Sequence, residues 1–197
     1  KEALLSAICI GNRALVEHIL QLFHDFPHEE QNGCMNSSMF GPHITPLILA
    51  CINNNFAIVE TLLLRGHSIV IPHHSQCACI DCSSLHNSSF EHIRKVDVYR
   101  AISSEAYLWL ATSDPFAAAC AVVTDIKRII RDESIEFIDT YNLLLSNVQH
   151  FAVRLMEQCW KVEEVDLFLS QPNHSRLLNC HTQYPRIRMA LDSSMKN

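Results

Sequence analysis

Glycine is scarce, with four in 197 residues, and none stands in a GxGxxG or GxxxxGK[ST] loop, which excludes the familiar phosphate cradles. GxSxG and HExxH are missing too, so no enzymatic activity is expected. Positive charge is also short. Fifteen Lys and Arg stand against 21 Asp and Glu, for a net charge of −6, and the basic residues are scattered. The electrostatic footprint of a nucleic-acid partner is therefore lacking, and none is expected. No apolar run reaches the roughly 18–20 residues that cross a bilayer. The longest of note, TPLILACI over 45–52, falls well short, and the piece is expected to be soluble by itself. No signal peptide opens the chain. It begins at Lys1 without an initiator methionine and stops at Asn197 in a helical pattern, so a fragment of a longer protein is expected.

Cysteine, by contrast, is plentiful, and its spacing matters more than its number. Three of the nine fall in PHHSQCACIDC, residues 72–82, as His73-x3-Cys77-x-Cys79-x2-Cys82. Four soft or borderline ligands at these intervals suit one tetrahedral ion, and Cys79-x2-Cys82 is a usual zinc pair. A closed Cys3His set leaves no position for water, so such a zinc would be structural. Reduced thiols and a redox-sensing pair remain open readings, and His74 or His67 competes with His73 for the fourth place. Cys9, Cys51 and Cys120 lie on apolar helical patterns and read as small core residues, in keeping with a reducing cytosol.

Residues 1–66 hold an internal repeat. ALLSAICIGNRALVEHIL (3–20) overlays PLILACINNNFAIVETLL (46–63) at an offset of 43, matching Leu4 with Leu47, Ala7 with Ala50, Val16 with Val59, Glu17 with Glu60 and Leu20 with Leu63. Each copy reads as helix, polar break at Gly11-Asn12 or Asn54-Asn55, then a second helix with one apolar face. Thr45 is placed to cap the second copy, Pro46 fits a first turn, and Gly66 suits a left-handed cap. Residues 24–43 lengthen the connection between the copies. His24 and His28 are four apart there, but Pro27 between them argues against a metal-binding helical face. Two such pairs do not bury their faces alone, so further repeats before Lys1 and a different helical module after the second copy are expected.

Beyond a polar connector (83–89), the period is helical. VDVYRAISSEAYLWLAT (96–112) carries Val98, Ile102 and Leu108. Ser113-Asp114-Pro115-Phe116 is a helix start, with Ser or Asp as its cap. Phe137, Tyr141, Leu144, Val148, Phe151 and Leu155 then form a 4-3-4-3-4 seam that reads as bundle core. A shorter helix over 161–170, a break at Gln171-Pro172-Asn173 and a last helical stretch over 184–196 complete the chain.

The TPLILA opening and AIVETLLLRG second helix resemble the ankyrin repeat. Together with PHHSQCACIDC and the SDPFAAA helix start, they resemble the cytosolic N-terminus of the C-type transient receptor potential channels (TRPC) through nearly the whole chain. That resemblance implies an all-α fold: ankyrin-repeat helical pairs over 1–71, a zinc-binding loop and connector over 72–92, and a linker-helix domain over 93–197. It implies zinc on His73, Cys77, Cys79 and Cys82. It also implies a cytoplasmic segment of a plasma-membrane, calcium-permeable, non-selective cation channel gated downstream of phospholipase C. The implied partners are the other subunits of a homo- or heterotetramer and the rest of the same channel, with the membrane reached through spans downstream. A soluble ankyrin scaffold without a pore, and a redox sensor using Cys77, Cys79 and Cys82, are the rival readings.

Overall fold

The computed structural model describes residues 1–73, 77, 89–132, 135–171 and 185–193, and among them there are helices and no strand. Packing divides the chain into two units, Lys1–Ser113 and Asp114–Asn197.

The first unit is a stack of helical pairs. Helices α1 (Glu2–Ile10) and α2 (Arg13–Gln21) form the first pair, and α4 (Pro46–Ile52) and α5 (Phe56–Leu64) the second. Short α3 (Pro27–Gln31) lies in the connection between them. The repeat is visible in the turns. Asn12 Oδ1 accepts the Leu15 amide at 3.1 Å, and Asn55 Oδ1 accepts that of Ile58 at 3.2 Å, so the same residue type caps the second helix of each pair. Thr45 Oγ1 caps α4 through the Ile48 amide at 3.2 Å. Gly66, at φ 82°, takes the left-handed conformation that stops α5, and its carbonyl accepts from Gln31 Nε2.

A third helical pair packs against the second. The stretch 96–112 is not one helix: α6 (Ser89–Ile102) ends at Ser103, and α7 (Glu105–Leu110) begins anew because Ser104 Oγ accepts the Tyr107 amide at 3.2 Å. Helix α6 packs on α4 and α7 on α5, and α1 and α2 pack on the same two helices. Asn54 Oδ1 accepts the Ala106 amide at 2.9 Å, linking the turn of the second pair to the start of α7. The inner faces meet through Leu4, Ile8, Leu47, Ile58, Leu62 and Leu108, all buried. Each such side chain contributes about 1.5–3 kcal/mol by leaving water. Cys51 belongs to this core, whereas Cys9, expected there, is exposed.

The second unit is built on α8 (Pro115–Asp132) and α9 (Ile138–Glu157), with α10 (Val162–Ser170) and α11 (Pro185–Asp192). Tyr141, Leu144, Val148 and Phe151 of the expected seam are buried on α9, which packs along α8. Cys120 is buried on α8. Helix α11 touches both α10 and α8. The end of the last expected helix, 194–196, lies outside the described residues.

Candidate functional site

The candidate metal loop leaves the stack at the end of α5. Its first residues are anchored before the ligands begin: His67 is buried, and Ile69 lies at the edge of the core. Of the four expected ligands, His73 and Cys77 are described, and the structure brings them together, with Nδ1 of the ring 3.6 Å from Sγ. Cys79, Cys82 and the competing His74 lie outside the described residues. A tetrahedral zinc with Zn–N of about 2.05 Å and Zn–S of about 2.3 Å sets its nitrogen and sulfur ligands about 3.6 Å apart. The pair therefore has the separation of two neighbouring ligands of one such ion, and its soft and borderline donors fit zinc. With a protonated thiol, the same contact is an S–H···N hydrogen bond. Among the described residues, no three His, Cys, Asp or Glu side chains stand together to hold a metal.

His67, the other competitor, is engaged elsewhere. Glu30 on α3 receives Arg65 Nε at 2.7 Å, Arg65 Nη2 at 2.6 Å and His67 Nε2 at 2.8 Å. The Arg65 Nη2 group also reaches the Leu20 carbonyl at 3.2 Å, tying the end of α2 into the cluster. Burial by itself would raise the Glu30 carboxyl, but hydrogen bonds from Arg65 and His67, with their charges, outweigh it and hold it below the usual carboxylate range. Burial pushes the His67 ring the other way, down, and Glu30 offsets this only in part. Sequence reading missed this cluster, because its members are separated by 35 and 37 residues and their only local signal was a Gly66 cap.

The SDPF start in the second unit also has work that the sequence does not disclose. Asp114, rather than Ser113, caps α8: its Oδ1 accepts the Ala117 amide at 3.1 Å. Its Oδ2 accepts Arg186 Nη2 at 3.0 Å, and the same nitrogen donates to Gln171 Oε1 at 3.0 Å. The guanidinium lies 4.3 Å from the Phe168 ring centre and 5.8 Å from that of Phe116, and the two rings meet edge to face. Asp114 and Phe116 are thus two walls of a receptacle for the arginine of α11.

The family described as "Transient receptor ion channel II" matches residues 77–137. Across 180 residues, 86% of this chain, the sequence is 34% identical to the Transient-receptor-potential-like protein of Drosophila melanogaster. It is 30% identical over 181 residues to Short transient receptor potential channel 2 of Rattus norvegicus, again over 86% of this chain. Over 143 residues, 72% of this chain, it is 32% identical to Short transient receptor potential channel 4 of Homo sapiens. These alignments span 16%, 15% and 14% of the respective relatives. The channel relatives are not enzymes, and no reaction is assigned to the chain. Among the described residues no helix is long and apolar enough to cross a membrane. Its likeness to several members along most of its own length shows that the chain belongs to the transient receptor potential channel family.

Proposed function

We propose that the chain is the cytosolic N-terminal assembly and regulatory region of a TRPC-like channel, a calcium-permeable, non-selective cation channel of the plasma membrane acting downstream of phospholipase C. The observation that carries this reading is the alignment of 86% of the chain with channel proteins. The helical pairs act as ankyrin repeats, a stiff stack on which the rest of the channel bears. The partners are other subunits of a homo- or heterotetramer, and membrane-spanning segments elsewhere in the protein form the pore.

His73, Cys77, Cys79 and Cys82 hold a structural zinc in this reading, supported by the 3.6 Å approach of His73 to Cys77 and by the donor set. When bound, the ion supplies the charge that keeps the three sulfurs as thiolates. The chain's own part is to deliver the ligands. Anchored by Glu30, His67 fixes where the loop leaves α5, and the start of α6 on α4 fixes where it returns. A closed loop between those points keeps the third helical pair seated on the second.

Two measurements on the full-length protein test the reading. Whole-cell recording during receptor stimulation of phospholipase C is expected to give a cation current that is lost when the segment is deleted. Metal analysis of the purified protein is expected to find about one zinc per chain. A current indifferent to the deletion would sink the regulatory role, and well under one equivalent of zinc would sink the metal site.

A further inference from the structure

The long connection between α2 and α4, residues 22–44, is fastened to the stack at two points by the same kind of cluster. At one, Glu30 of the connection meets Arg65 and His67 beyond α5. At the other, His43 of the connection sets Nε2 2.9 Å from Asp97 Oδ2 on α6, and Asp97 Oδ1 accepts Arg100 Nη1 at 3.0 Å. Each cluster joins one carboxylate, one arginine and one imidazole. In each, the ring Nδ1 is buried and has no hydrogen-bond partner among the described residues.

The connection between these points is folded on itself. Gly33 backs directly against the Pro42 and Ile44 carbonyls, leaving no room for a Cβ. Its outer side chains Phe26, Met35 and Met39 are exposed. Lighter contacts hold its surface, from Lys1 to Glu29 and from Ser37 to Glu2.

The chemistry of the Glu30 cluster makes it sensitive to a proton. Neutral His67, carrying its hydrogen on Nε2, donates to Glu30. The charged groups facing the ring are Glu30, from α3, and Arg65, from the end of α5. Their charges already cancel. A proton added at Nδ1 creates a buried N–H without an acceptor and a second positive charge beside one carboxylate. Released into water, the same ring takes a proton near the ordinary histidine value of about 6.5.

We propose that residues 22–44 are a pH-released strap, whose Glu30 end lets go of the stack when His67 is protonated. Acid favours the released form because that form binds the proton more tightly, and the effect vanishes above the free-histidine value. Release frees Arg65 from Glu30 and uncovers the ends of α2 and α5, which Arg65 joins through the Leu20 carbonyl. The proposal is independent of both the channel and zinc readings.

Hydrogen exchange of the full chain, expressed as protection factors from about pH 7.5 to about 5.5, across the free-histidine range, tests it. Amides of 27–44 are expected to lose protection several-fold with a midpoint below about 6.5, while those of 46–64 hold. His67→Gln, which keeps a neutral donor, is expected to abolish the pH dependence. His43→Gln, which leaves the Glu30 cluster intact, is expected to keep the pH-dependent loss over 27–44. A flat wild-type profile, a midpoint above the free-histidine value, parallel loss over 46–64, or an unchanged profile in His67→Gln would each overturn the proposal. Should His67→Gln not fold, the wild-type midpoint and the His43→Gln profile decide.

Discussion

Replacing Arg186 by methionine keeps the stem of the side chain and removes the guanidinium. The structure gives that group hydrogen bonds to Asp114 and Gln171, each at 3.0 Å, the Phe168 ring at 4.3 Å and, farther off, the Phe116 ring at 5.8 Å. A hydrogen bond between charged groups contributes about 1.5–3 kcal/mol and a desolvated cation–π contact about 2 kcal/mol. Methionine recovers part of the second by packing on the rings. Asp114 keeps its N-cap bond, and its side chain is 24% exposed, so water can hydrate the carboxylate left behind. The net cost is then about 3 kcal/mol. Because, among the described residues, α11 packs on α8 and α10, the loss is expected to appear there first. Hydrogen exchange over 189–193 in the full chain is expected to accelerate about a hundredfold, since each 1.4 kcal/mol is tenfold. A double-mutant cycle with Asp114→Asn is expected to return a coupling of about 1–2 kcal/mol. Acceleration of α11 below threefold, or a coupling near zero, would refute the claim that the aspartate of the SDPF start exists to receive this arginine.

Leucines two positions apart on α5 should separate sharply. Leu62, fully buried, is expected to cost about 3 kcal/mol when cut to alanine, and Leu64, 82% exposed, within about 0.5 kcal/mol, both read from denaturant midpoints. Glu30→Gln is expected to lower stability at neutral pH by about 3 kcal/mol, the lower end for a broken buried pair because Arg65 is 36% exposed. Since the native Glu30 carboxyl is held below its unfolded value, its contribution is full above about pH 4.3 and fades as pH falls through the lower native value. Thermal melts across that range should show a shallower acid limb in the variant, and an identical limb would count against the assignment. Cys79→Ser is expected to lower the bound zinc and the melting temperature together, and chelation should bring the wild type to the same temperature. Equal melting with and without chelator would rule out a structural ion.

Much of the architecture was legible before any tertiary contact was known, because it rests on interactions between near neighbours. Asn12, Asn55 and Thr45 cap through amides three residues away, Gly66 needs only its own φ, and the α9 seam follows from 3.6 residues per turn. The break at Ser103-Ser104 was local too. It was missed because apolar periodicity runs through it, and a serine cap competes poorly with that signal on inspection. Spacing singled out His73 and Cys77 as candidate ligands, and the fold sets the ring Nδ1 3.6 Å from the thiol Sγ.

The amino-acid order alone thus determined an all-helical chain, a repeat at an offset of 43, the caps that delimit its pairs, and a candidate ligand loop after the second. Only the folded protein decided that α6 and α7 pack against the second pair, that His67 belongs to Glu30 rather than to a metal, and that Arg186 sits on Asp114. Those pairings join residues 37 and 72 positions apart, where no backbone period relates one side chain to the other. They exist because helix packing first brings the groups together and burial then makes an unpartnered charge too costly to leave.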